Sequence, residues 1–140
     1  MVTVTPDPHA DRSGPPNDAG RPTITVDIYS DVVCPWCYIG KRKFERGLAQ
    51  IAGDLDVDVE VTYRPHQLDP TAAFGLATPV FEAYSKKFGG PERAEQIIGH
   101  VTSTAAETGI EFHMERALRA NTLLAHRLIW LAACTTGESG

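Results

Sequence analysis

Cys34 and Cys37, in the run Cys34-Pro35-Trp36-Cys37, are the residues whose type and spacing point most directly to chemistry. Two thiols two residues apart can close an intramolecular disulfide, supply half of a zinc site, or pack as small apolar side chains. A thiol attacks a disulfide only as its thiolate, so a redox cysteine needs a lowered pKa. A helix beginning at Pro35 would supply it, since its unpaired N–H groups and the positive end of its dipole point at the Cys34 sulfur. Cys37, one turn on, lies on the same side and can resolve a mixed disulfide by intramolecular attack. Cys34 is therefore expected to be the attacking thiol, titrating well below a free cysteine, with Cys37 the less exposed resolving thiol.

The competing readings are weaker. A zinc site needs four ligands, usually two such pairs, and only Cys134 and scattered histidines remain, so no metal and no cofactor is expected. A structural disulfide is out of place in a reducing compartment. Two plain buried thiols would leave Pro35, suited to a first helical turn, as coincidence. Asp31, three residues before Cys34, has two readings that stand level: a proton-exchange partner for the buried thiol, or an Asx-turn residue shaping the loop. Trp36, between the sulfurs, is expected to tune them. Lys41, Arg42 and Lys43 read as a solvated helix face, Cys134 as packing, and His126 as a satisfied core histidine.

The elements that must position this pair are visible in the pattern. Thr23 to Tyr29 alternates, with Ile24, Val26 and Ile28 on one face, and reads as a strand. The helix should run from about Pro35 to Ala52, with Phe44, Leu48 and Ile51 on its apolar face and Gly53 as its stop. Val57, Val59 and Val61 mark a second strand that Pro65 ends. Strand, helix, strand predicts a parallel βαβ unit with the cysteines at the first strand-to-helix junction. Beyond Pro70 helices are predicted over Pro79 to Phe88, Pro91 to Glu107 and Asn121 to Cys134. The last is apolar nearly all round and should be buried. The expected organisation is a disordered tail over 1–22, a βαβ unit over 23–70 and a helical segment over 71–140.

Bulk properties narrow the function. The 140 residues suffice for one domain, and 42 % apolar with 22 % charged residues is the balance of a soluble globular protein. A net charge of −5 with no basic patch speaks against nucleic acid. No apolar stretch approaches the roughly 20 residues that span a bilayer. Met1 to Pro22 shows no basic segment followed by an apolar one, so the cytoplasm is the expected location.

The run Ser30-Asp31-Val32-Val33-Cys34-Pro35-Trp36-Cys37-Tyr38-Ile39-Gly40 resembles the active-site segment of the FrnE-like branch of the DsbA family. The likeness continues at Arg64 to Pro70, at Lys87-Phe88-Gly89-Gly90, and at Asn121-Thr122 with Ala125 to Leu128. His66 and Asp69 stand where that family usually has Phe and Asn. The resemblance implies an α/β, thioredoxin-like fold interrupted by an inserted helical domain. It also implies thiol-disulfide oxidoreductase activity with Cys34 as nucleophile and Cys37 as resolving thiol, acting on protein or small-thiol disulfides, glutathione among them. A related branch, 2-hydroxychromene-2-carboxylate isomerases and kappa-class glutathione transferases, typically carries Ser where Cys34 stands, so both cysteines favour redox chemistry over a glutathione-dependent isomerase or transferase. The family follows its insert with a cis-proline loop, two more strands and a helix. No proline follows Pro91 here. The C-terminal part of the sheet is thus expected to be missing, and the chain to be marginally stable, oligomeric (a homodimer, for instance) or both, with a truncated, non-catalytic chain as the further alternative.

Overall fold

A computed structural model describes residues 22–51 and 57–136. The tail expected over 1–22, apart from Pro22, and the helix stop at Gly53 lie outside the described residues.

Strand β1 (Thr23–Ser30) and strand β2 (Asp58–Pro65) flank helix α1 (Pro35–Ile51). The strands pair in parallel over their full length, from Thr23 opposite Asp58 to Ser30 opposite Pro65, so the βαβ expectation holds. β-branched residues dominate the shared face, as a pleated and half-covered surface favours. Val26 is buried, Ile28, Val59 and Val61 are half-buried, and Ile24 is exposed. Pro65 is tolerated because it stands at the end of the ladder. An ion pair of Arg64 Nε with Asp27 Oδ1 at 2.9 Å ties the strands on their exposed side.

The remainder alternates short strands with helices: β3 (Ala77–Pro79), α2 (Val80–Phe88), α3 (Pro91–Glu107), β4 (Leu118–Ala120) and α4 (Leu123–Thr136). The chain turns sharply between α2 and α3. Gly89 takes φ 93°, a left-handed helix end that a side chain would strain, and Pro91 then opens α3 with its fixed φ. The β3–β4 pair is antiparallel, Ala77 to Ala120 and Pro79 to Leu118, and was not expected. Pro79 correspondingly belongs to β3 and precedes α2, at φ −52° and ψ 136°.

The deepest packing is helical. Ile39, Val101 and Ala105 are almost wholly buried and cluster with Val80 and Met114, while Tyr84, Ile98 and Phe112 pack around them. One residue of α1, Ile39, thus anchors the redox helix in the core formed by α2, α3 and the segment before β4. Of the apolar face predicted for α1, Phe44 and Leu48 are half-buried and Ile51 is 43 % exposed.

Helix α4 departs from expectation. Leu124, Leu128 and Leu131 form a stripe at helical spacing and are 65 %, 69 % and 55 % exposed, with Ile129 and Trp130 beside them also exposed. Apolarity makes a helix suited to burial, but burial needs a surface to meet. Thr122, just before α4, and His126 on it are both buried, and they mark the side on which the helix is covered.

Candidate active site

Cys34 stands at the N-cap of α1. Its N–H donates to the Asp31 carbonyl at 3.1 Å, and its carbonyl accepts the Tyr38 N–H at 3.3 Å, the first bond of the helix. Its Sγ accepts the Cys37 N–H at 3.3 Å, the position where a capping side chain satisfies the third helical donor. Pro35, first in the helix, has no N–H to leave unpaired. Cys37 completes the turn, and both cysteines are free thiols and half-buried. What separates them is the cap and the cleft: Cys34 lines a cavity of about 320 Å³ that Cys37 does not reach.

The expected low pKa of Cys34 is overturned. Burial, a hydrogen bond with the Cys37 thiol and the adjacent Cys37 charge push Cys34 up to about 11, against the Cys37 and Trp36 N–H groups, which favour the thiolate. Two sulfurs this close titrate as a pair, and once one is negative the other holds its proton. The helix terminus works in the direction foreseen, but burial and the neighbouring thiol outweigh it.

Trp36 acts on the sulfur through its backbone N–H. Its indole turns to α3 and packs on the His100 ring, centroids 5.4 Å apart at 50°.

The Asp31 side chain is not the Asx-turn residue of one reading. It is 3 % exposed and binds outward from its own loop. Its Oδ2 accepts the Leu68 N–H at 2.7 Å, and its Oδ1 lies 3.1 Å from His126 Nε2 on α4. Burial alone would raise its pKa, but the Leu68 N–H, the Thr122 side chain and His126 together hold the carboxyl below the usual carboxylate range. Asp31 therefore stays ionised and pins the Cys34 loop to the segment after β2 and to α4. His126 is the satisfied core histidine that was expected. Gln67, which reaches Asn121 and Thr122 at 3.3 and 3.4 Å, extends the same junction.

The cysteine loop faces a cleft whose other walls come from Val80 and Tyr84 of α2 and from Phe112, Met114 and Leu118. Sequence reasoning missed these residues, because they are ordinary apolar positions until the fold sets them opposite Cys34. Lys41 and Arg42 both engage Glu45 on the outer face of α1, Arg42 at 3.3 Å, and lie over the Tyr63 and Tyr38 rings, as a solvated face would. The Cys134 side chain lies outside the described residues. Among the described residues no group of three or more His, Cys, Asp or Glu stands close enough to hold a metal ion. No helix among them is long and apolar enough to cross a membrane.

Residues 25–137 match the family model of the DSBA-like thioredoxin domain. The chain belongs to that family. Its fold matches the crystal structure of a probable DsbA oxidoreductase from Streptomyces coelicolor with a TM-score of 0.70 and 34 % identity, over 80 % of this chain and 47 % of that one. The chain thus spans about half the length of that DsbA-like relative. An uncharacterized protein of Bacillus subtilis, YwbO, is 39 % identical over 49 residues, 35 % of this chain and 22 % of its own. The α/β, thioredoxin-like class is confirmed, and so is membership of the DSBA-like thioredoxin domain family.

Proposed function

We propose that this chain carries out thiol–disulfide exchange through Cys34 and Cys37, with disulfides of proteins or small thiols as substrates. The supporting observation is the cap geometry: Cys34 Sγ sits at the mouth of α1, receives the Cys37 N–H at 3.3 Å, and opens on a cleft. Cys34, as thiolate, attacks one substrate sulfur; the substrate S–S bond breaks, a mixed disulfide forms, and the second substrate sulfur leaves as a thiolate. Cys37 loses its proton and attacks Cys34 Sγ, expelling the first substrate sulfur. The substrate gains two electrons and Cys34–Cys37 becomes the disulfide; run backwards, the same steps oxidise a dithiol. Asp31 and Pro35 hold the loop and the helix start, and the Trp36 N–H adds to the stabilisation of the sulfur.

The motif residues Ser30 to Gly40 further support a place in the FrnE-like branch. With Cys34 at about 11, the thiolate fraction is small at neutral pH, so exchange should accelerate about tenfold per pH unit without levelling off below pH ~9.

Trapping tests the assignment. Cys37→Ser should accumulate a mixed disulfide on Cys34 when mixed with a disulfide peptide, and Cys34→Ser should accumulate none. Accumulation on Cys37 in the Cys34→Ser protein would reverse the roles.

A further inference from the structure

We infer that Tyr84 is a catalytic residue of the exchange proposed above, its hydroxyl donating a hydrogen bond to the substrate sulfur that leaves when Cys34 attacks. Tyr84 projects from α2 into the cleft that Cys34 lines from the opposite wall. Its ring is fixed by an edge-to-face contact with Phe88 at 5.4 Å and by packing on the core that holds Ile39. Its hydroxyl makes no hydrogen bond to any described residue, although the side chain is half-buried. A half-buried phenol usually finds a partner, so this donor is left available for a ligand. Val33, Pro35, Val80, Phe112 and Met114 of the cleft walls offer no side-chain N–H or O–H. Tyr38 and His113 are the other polar side chains of the lining: Tyr38 is 41 % exposed and engaged with Arg42, and His113 is engaged with Glu111 and Glu115 at the surface.

The chemistry needs such a donor at that place. When Cys34 attacks R–S–S–R′, the Cys34–S–R bond forms, the S–S bond breaks, and R′–S⁻ carries away the electron pair. In an apolar cleft that new thiolate has little water to stabilise it. A phenol that keeps its own proton can donate to the sulfur throughout, and solvent supplies the proton that finally neutralises it. Burial and the nearby Cys34 charge raise the Tyr84 pKa against the opposing pull of Arg119, which keeps the hydroxyl a donor wherever the exchange runs.

The need for the donor depends on the leaving group, since an acidic thiol leaves readily and a basic one does not. Single-turnover reduction by the 140-residue chain is therefore compared for two probes: bis(2-hydroxyethyl) disulfide, whose thiol is basic, and 2,2′-dithiodipyridine, whose thiol is acidic. Tyr84→Phe should lose about tenfold or more on the aliphatic probe and little on the pyridyl one, while Tyr63→Phe, exposed on β2 and outside the cleft lining, changes neither. An equal loss on both probes would mark Tyr84 as merely structural, and no loss on either would show that its hydroxyl is idle; both overturn the inference. Wild-type protein that forms no Cys34 adduct even with the pyridyl probe would instead bring down the dithiol reading, and this inference with it.

Discussion

At the residue scale, two opposed influences meet on one sulfur. The N–H groups of Trp36 and Cys37 favour a Cys34 thiolate, and burial with the Cys37 thiol disfavours it more strongly. Removing the Cys37 side chain deletes its hydrogen bond and its charge but keeps its N–H, so Cys34 in Cys37→Ala should ionise at lower pH than in wild type. Thiolate absorbance against pH measures this, and an upward move would show the balance to be misassigned. The dithiol was legible because spacing, Pro35 and the strand-to-helix junction agreed. The pKa was not, because it depends on how deeply the fold sinks the sulfur. The bonds that Asp31 makes were not legible, since its partners Leu68 and His126 are distant in sequence. Asp31→Ala strands a part-buried N–H and a buried imidazole and should cost about 3 kcal/mol, with Asp31→Asn costing less because an acceptor for Leu68 remains. The sign with pH follows from a folded pKa below the unfolded one. The stabilisation is present above about pH 4, the ordinary aspartate value, and fades as pH falls through the lower folded value. Asp31→Asn should flatten that acid limb in urea melts taken across pH.

At the scale of elements, sequence punctuation carried far. Gly89-Gly90-Pro91 and Gly109 set the bounds of α2 and α3 closely, because a left-handed glycine and an N-terminal proline are backbone requirements rather than tendencies. The β3–β4 pair was invisible, as three residues per strand are too few for a period to register. On α1 the periodic face misjudged depth. Ile39, next but one to Cys37, is 2 % exposed, whereas Ile51 is 43 % exposed. Ile39→Ala should therefore cost about 2–5 kcal/mol and disturb the redox helix, while Ile51→Ala stays within about 1 kcal/mol. Denaturant melts of both decide it, and equal costs would contradict the placement of the core.

At the scale of the whole molecule, the stability lies with the helices and the chemistry lies at the seam. The core gathers α2, α3 and Ile39, the parallel pair β1–β2 is covered more thinly, and the dithiol stands where the two parts meet. The exposed stripe of Leu124, Leu128 and Leu131 on α4 is a hydrophobic patch of the sort that drives association. Light scattering should find the chain self-associating as concentration rises, and Leu124→Glu with Leu128→Glu should reduce that association without altering thiol reactivity. A wild-type chain that stays monomeric at high concentration would show that the stripe is harmless.

The central claim is that Cys34 and Cys37 form one two-electron couple. Peptide mass mapping after oxidation by a modest excess of glutathione disulfide tests it most directly. The account predicts a single intramolecular Cys34–Cys37 bridge, reversed by dithiothreitol, with Cys134 still alkylatable as a free thiol. A bridge from Cys134 to either active-site cysteine, or Cys34 and Cys37 both remaining reduced, would contradict it.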